Sequence, residues 1–208
     1  MFSAFDSVFH ADSPKPLEGQ GAGIVDYSEL KEFFSRYGGV SFNNGIYRAF
    51  DEDSISVWDG YVTTAFPSYA GQINCFGVDW LGRIFALDVR RKELGLPGVV
   101  LFEPGTGDSF EVPGNIVSFH NDVLLNRSEA ALAESFFGMW VANGGPAPKI
   151  DQCIGYKRPL FLGGEDEVSN LEVVDLEVYW GLSSQLIERV RDLPIGTSIG
   201  NVILKESE

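Results

Sequence analysis

Between residues 46 and 113, short apolar segments follow one another across turns that carry glycine or acidic residues. A chain patterned this way is strongly constrained to pair its neighbouring segments as antiparallel strands. Phe76-Gly77-Val78-Asp79-Trp80 and Arg83-Ile84-Phe85-Ala86-Leu87 flank Leu81-Gly82, the length of a two-residue hairpin loop. Val99-Val100-Leu101-Phe102 and Ser109-Phe110-Glu111-Val112 flank the longer turn Pro104-Gly105-Thr106-Gly107-Asp108. Upstream, Ile46-Tyr47-Arg48-Ala49-Phe50 and Ile55-Ser56-Val57-Trp58 flank the acidic turn Asp51-Glu52-Asp53, and the same reading makes them strands.

Helical spacing brackets this region. Phe2, Phe5 and Phe9 suit one helical turn docked on the core. Tyr27, Leu30, Phe33, Phe34 and Tyr37 predict a helix that starts at Asp26, with Glu29 completing a capping-box-like pair, and ends at Gly38-Gly39. Leu132, Phe136, Phe137 and Trp140 predict a second helix over 128–142, stopped by Asn143-Gly144-Gly145. Pro159-Leu160-Phe161-Leu162 reads as strand. So does 171–180, with Val174, Leu176, Val178 and Trp180 on one face and Asp175 and Glu177 on the other. A last helix is expected over 183–192, before Pro194. Strands grouped in the middle, with helices between and after, define an α+β fold. The expected form is a central, mostly antiparallel sheet or sheets with helices packed against them, in two closely associated subdomains. The polar stretch 88–98 places the division between 1–95 and 96–208; the stretch 144–148 is a second candidate.

Charge limits the partners. Thirty Asp and Glu against fifteen Lys and Arg leave a net charge of −15. Nucleic acid repels such a chain at long range, and the only basic pieces are Arg90-Arg91-Lys92 and Lys157-Arg158. No direct nucleic-acid partner is expected. A basic partner fits the charge, as does plain solubility. Cys75 and Cys153 lie far apart with no CxxC spacing, the N-terminus lacks a basic segment before an apolar run, and no stretch approaches the ~18 apolar residues of a membrane span. These features lead to the expectation of a cytoplasmic protein with no membrane partner.

The motifs of catalysis are missing. His10 and His120 form no HxxH or HExxH, no GxSxG elbow is present, and Gly105-Thr106-Gly107 is a turn rather than a phosphate loop. Paired carboxylates occur at Asp51/Asp53, Glu165/Glu167 and Asp175/Glu177. A metal-dependent hydrolase could use the 175/177 pair or the 165–167 cluster, but Lys205 is the first lysine after them; solvated faces and turns account for them as well. The reading is therefore no catalytic residues, no metal and no cofactor.

Two segments carry a family likeness. Cys153-Ile154-Gly155-Tyr156-Lys157-Arg158-Pro159-Leu160-Phe161-Leu162-Gly163-Gly164-Glu165-Asp166 leads through Asn170-Leu171-Glu172-Val173 to Asp175-Leu176-Glu177-Val178-Tyr179-Trp180-Gly181 and Gln185-Leu186. This resembles the C-terminal domain of immunity proteins that protect bacteria from a type VI secreted DNase toxin. Tyr37-Gly38-Gly39, Phe42-x-x-Gly45-x-Tyr47-Arg48 and Phe76-Gly77-x-Asp79-Trp80-x-Gly82-Arg83 resemble the GAD-like domain that precedes it in that family. The resemblance implies a non-enzymatic protein that binds and neutralises a cognate basic nuclease toxin in the cytoplasm of the producing cell. It names no contact residues. The candidates for partner binding combine acidic charge with an aromatic anchor: Asp51, Glu52 and Asp53 beside Trp58 and Asp59; Asp79 with Trp80; and Glu165, Asp166 and Glu167. Core packing for the aromatics and solvated turns for the acids are the alternatives, and a general interaction or sensing module remains the alternative to toxin neutralisation.

Overall fold

The computed structural model describes residues 1–15, 27–194 and 197. Helix α1 (Ser3–Val8) and α2 (Ser28–Tyr37) precede a six-stranded antiparallel meander: β1 (Ser41–Phe42), β2 (Tyr47–Ala49), β3 (Ile73–Asp79), β4 (Ile84–Glu93), β5 (Leu96–Glu103) and β6 (Asp108–Asn115), neighbours in space as in sequence. Helix α3 (Ile55–Ala65) joins β2 to β3. After the sheet come α4 (Ile116–Ser118), a π-helical turn (Phe119–Val123), α5 (Leu124–Asn126), α6 (Ser128–Leu132) and α7 (Glu134–Ala142). The chain then forms a separate two-stranded sheet, β7 (Gln152–Tyr156) with β8 (Leu171–Asp175), and ends its described part in α8 (Leu176–Val190). The expected α+β class with helices packed on an antiparallel sheet is what the chain adopts.

The sheet is covered on both sides, which explains the continuous apolar character of β4. Residues Ile84, Phe85, Ala86 and Leu87 are all buried. Phe85 faces the N-terminal helices and the π-turn, with its ring 4.9 Å from that of Phe119. Its neighbour Ile84 pairs with Phe102, whose ring meets Phe66 at 5.0 Å and Tyr69 at 4.9 Å on the opposite face. Both expected hairpins are present. β3 and β4 pair from Ile73↔Asp88 to Val78↔Ile84, and β5 and β6 from Gly98↔Asn115 to Glu103↔Asp108. The division drawn at residue 95 falls in the turn between β4 and β5, where Leu94 and Gly95 both have positive φ, at 53° and 86°, as a tight hairpin turn requires.

Two expected strands are not strands, and a third is cut short. Residues 55–58 open helix α3, with Ile55, Trp58, Val62 and Ala65 inward, and Glu52–Ser54 is a 3-10 turn that feeds it. Four residues fit either period, and only Val62 and Ala65 resolve it. Pro159-Leu160-Phe161-Leu162 contains a 3-10 turn, Leu160–Leu162. The strand over 171–180 stops at Asp175, whose Oδ1 accepts the Val178 N–H at 2.9 Å and so caps α8. Leu176, Tyr179, Trp180, Ser183 and Ile187 then turn inward at helical spacing and Val178 is left 53% exposed, so the predicted strand faces do not exist. The helix expected over 128–142 breaks at Ala133, which has left-handed φ of 50°. The cap expected at Asp26 lies outside the described residues.

Candidate functional site

The residues that carry the N-terminal likeness converge on a buried joint between the large sheet and the segment that follows it. Arg48 is fully buried; its guanidinium donates to the carbonyls of Lys149 (2.8 Å) and Gln152, and to that of Asp79 (2.6 Å). Asp79 accepts the backbone N–H groups of Leu81 (3.0 Å) and Arg83 (2.9 Å) and the Arg83 guanidinium at 2.6 Å, which closes the β3–β4 turn. Arg83 also donates to the Ala131 carbonyl at 3.1 Å. The indole N–H of Trp80 donates to the Leu132 carbonyl (2.8 Å), and that of Trp180 to the Gly82 carbonyl (2.7 Å). Gly82 has φ of +78°, and a Cβ there would stand 3.0 Å from Cys153 Sγ and 3.2 Å from the Tyr179 ring, so only glycine lets α8 and β7 approach so closely.

Two buried titratable groups flank this joint. Glu103 lies 3.6 Å from Arg83, but that guanidinium is already committed to Asp79. Burial therefore dominates, offset in part by Arg83, and lifts the Glu103 carboxyl to about 7. His120 sits among the rings of Phe2, Phe5, Phe33, Phe76 and Phe119. Its Nδ1 lies 2.7 Å from the Ile116 carbonyl, which can only accept, so Nδ1 carries the proton and Nε2 accepts from the Tyr47 hydroxyl at 2.9 Å. Burial pushes the imidazole down to about 3. A neutral, fully bonded histidine of this kind is a core residue.

The surface beside the joint is a cleft of about 420 Å³. Asp51, Asp151, Asp175 and Glu177 line it with Phe50, Trp58, Ile150 and the buried Arg48. Trp58 is buried and stacked on Phe50, ring centres 4.7 Å apart and planes 9° from parallel. Asp51 has its carboxyl pushed upward by burial and then by neighbouring Asp53. Helices α3 and α8 stand side by side here, with Gly181 against the Tyr61 ring.

The sequence candidates separate on this geometry. Asp51 and Trp58 reach the cleft, joined by Asp151 and by the 175/177 pair, which sequence reading had placed with the hydrolase alternative. Glu52 and Asp53 lie in the 3-10 turn at its edge. Asp59 points inward and accepts the Cys75 N–H at 2.8 Å. Asp79 and Trp80 are 0% exposed and spend their polar atoms inside the fold, so a partner reaches neither without opening it. Glu165, Asp166 and Glu167 are exposed on the connection from β7 to β8, where Tyr156 donates to Asp166 at 2.6 Å. Among the described residues no three His, Cys, Asp or Glu side chains converge as metal ligands do. Sequence reading missed Arg48, Arg83 and Glu103 as a network. The local signal for part of it is an Asp four residues before an Arg across a two-residue turn.

A six-stranded meander with a smaller helix-and-hairpin unit attached to it defines the structural class. The same fold occurs in the crystal structure of Atu4351 from Agrobacterium tumefaciens, at 15% identity over 89% of each chain, with a TM-score of 0.56. Sequence gives the family likeness: residues 119–187 match the family model described as T6SS immunity protein Tdi1, C-terminal. That stretch runs from the π-turn through α8 and contains the segment on which the expected resemblance rested, which is thereby borne out. The match supports an immunity role in type VI secretion. No curated protein matches the chain in sequence. Among the described residues, no helix is long and apolar enough to cross a membrane.

Proposed function

We propose that this chain neutralises a cognate type VI secreted DNase toxin by binding it, in the cytoplasm of the cell that produces the toxin. The observation that carries the reading is the match of residues 119–187 to the immunity family. The segment before it, with the sheet, is proposed to act as the GAD-like part of the same protein, joined through Arg48, Trp80 and Arg83. The proposed role is binding without catalysis. Asp175, the leading candidate for hydrolytic chemistry, is engaged as a helix cap.

The net charge of −15 supports a basic partner, since a nuclease must present Lys and Arg to phosphates and an opposite field speeds encounter. Asp51, Glu52, Asp53, Glu165, Asp166 and Glu167 are the proposed acidic contacts that remain at or near the surface. The test is to mix the purified chain with the product of the neighbouring gene. The expected result is a stable complex at low micromolar concentration and loss of DNA cleavage by the toxin. Unhindered cleavage with no complex would end this reading.

A further inference from the structure

The cleft between α3, α8 and the segment before β7 has the composition of an interface centre. Ile150 in its lining is left 50% in water, and Val57 (46%), Val178 (53%) and Leu182 (42%) are exposed on the two helices that contribute to the lining. Ile150 lines the cleft itself, Val57 precedes Trp58, and Val178 and Leu182 sit one turn apart on α8. In a chain this acidic, an exposed isoleucine in an aromatic-floored cleft fits a surface that a partner covers. The rim states the chemistry of the cover. Asp51, Asp151, Asp175 and Glu177 line the opening, and Arg48, the basic group in the lining among the described residues, is fully buried and faces carbonyls with its terminal nitrogens. The Arg48 Nε is buried beneath the floor without a hydrogen-bond partner.

We infer that this cleft receives a loop of the toxin that inserts an arginine or lysine side chain between Asp151 and Glu177, over the Trp58–Phe50 stack. This inference rests on the proposed toxin-binding function and adds its point of contact. A cation carried into a partly dry, carboxylate-lined cleft gains from charge and from the ring face together. Ile150 and the aromatic floor then exclude water around it.

Two double variants test the inference, each changing the net charge by the same amount. Asp151→Lys with Glu177→Lys reverses the rim at exposed positions that make no cap. Asp108→Lys with Glu111→Lys reverses exposed positions on β6, at the far edge of the sheet. Both are compared with the native chain in binding the neighbouring-gene product, with circular dichroism confirming the fold. The expected result is affinity lost by about 100-fold or more in the cleft variant and held within about threefold in the β6 variant. Equal losses in both variants, or full affinity in the cleft variant, overturn the inference while leaving toxin binding in place. Absence of any complex with the native chain overturns the functional reading itself. A second variant, Ile150→Ser, removes the exposed apolar side chain of the lining without changing charge, and it too should weaken the complex; unchanged affinity there counts against the cleft.

Discussion

Glu103 and His120 oppose each other in their effect on stability, and replacing one should reveal the other. The Glu103 carboxyl is raised by burial from 4.5 to about 7, so its contribution is fully present below pH 4.5 and is lost as pH rises through 7. His120 is lowered by burial from 6.5 to about 3, so its contribution is present above pH 6.5 and is lost as pH falls through 3. Between those limits the folded state holds one more proton than the unfolded state at Glu103 and one fewer at His120. Each site alone would change stability by about 1.4 kcal/mol per pH unit, with opposite signs. The two cancel in the native chain. Glu103→Gln keeps an oxygen for the Gly105 N–H, which Glu103 accepts at 3.1 Å, but cannot titrate. Urea unfolding followed by tryptophan fluorescence at pH 5.0 and 6.0 stays above the pI of 4.4 and inside the window. Relative to the native chain, the variant should gain about 1 kcal/mol of stability between those two pH values. The other carboxylates contribute equally to both proteins and drop out of the comparison. Parallel stability curves for the two proteins would refute the protonated state assigned to Glu103.

The joint and the caps give further expectations. Arg48→Met strips hydrogen bonds from the Lys149, Gln152 and Asp79 carbonyls in the interior, and urea unfolding should register a loss of about 3 kcal/mol or more. Gly82→Ala forces a Cβ into left-handed backbone 3.0 Å from Cys153 Sγ, and the melting temperature should fall by several degrees, corresponding to roughly 1–2 kcal/mol. Trp180→Phe removes the indole donor to the Gly82 carbonyl while keeping an aromatic ring, and should cost about 1–3 kcal/mol in the same unfolding assay. Asp175→Ala removes the cap of α8 and should lower stability by about 1 kcal/mol, measurable by chemical denaturation.

The parts of the fold legible in the sequence were those that local chemistry decides. The β3–β4 and β5–β6 hairpins follow from apolar runs that meet across glycine turns, and α2 follows from aromatic residues at helical spacing. Misreadings fell where a short run satisfies two periods. Residues 55–58 and 176–180 alternate well enough for a strand, and what decides for helix lies outside each run: Val62 and Ala65 in one case, the Asp175 carboxylate on the Val178 N–H in the other. The cleft was only half legible, because Asp51 and Trp58 are separated in sequence from Asp151, Asp175 and Glu177 by strands β3 to β6 and the helices after them. Nothing in a one-dimensional pattern states that α3 and α8 will lie side by side.

A consequence follows for where recognition can reside. Arg48, Asp79, Trp80, Gly82, Arg83 and Trp180 are the most distinctive residues in the motifs of this chain, and each is held inside the molecule by bonds to its own backbone or by close packing. A buried group whose hydrogen bonds are spent internally has little left for a partner, and exposing it would leave carbonyls unpaired at about 1–3 kcal/mol each. The motif residues therefore define a joint that docks α8 against the β3–β4 turn. On the proposed reading, choice of partner then falls to exposed side chains at the rim of the cleft, such as Asp151 and Glu177. On this argument two proteins can share the joint and the meander and still hold different partners, because the scaffold and the reading surface are built from separate sets of residues.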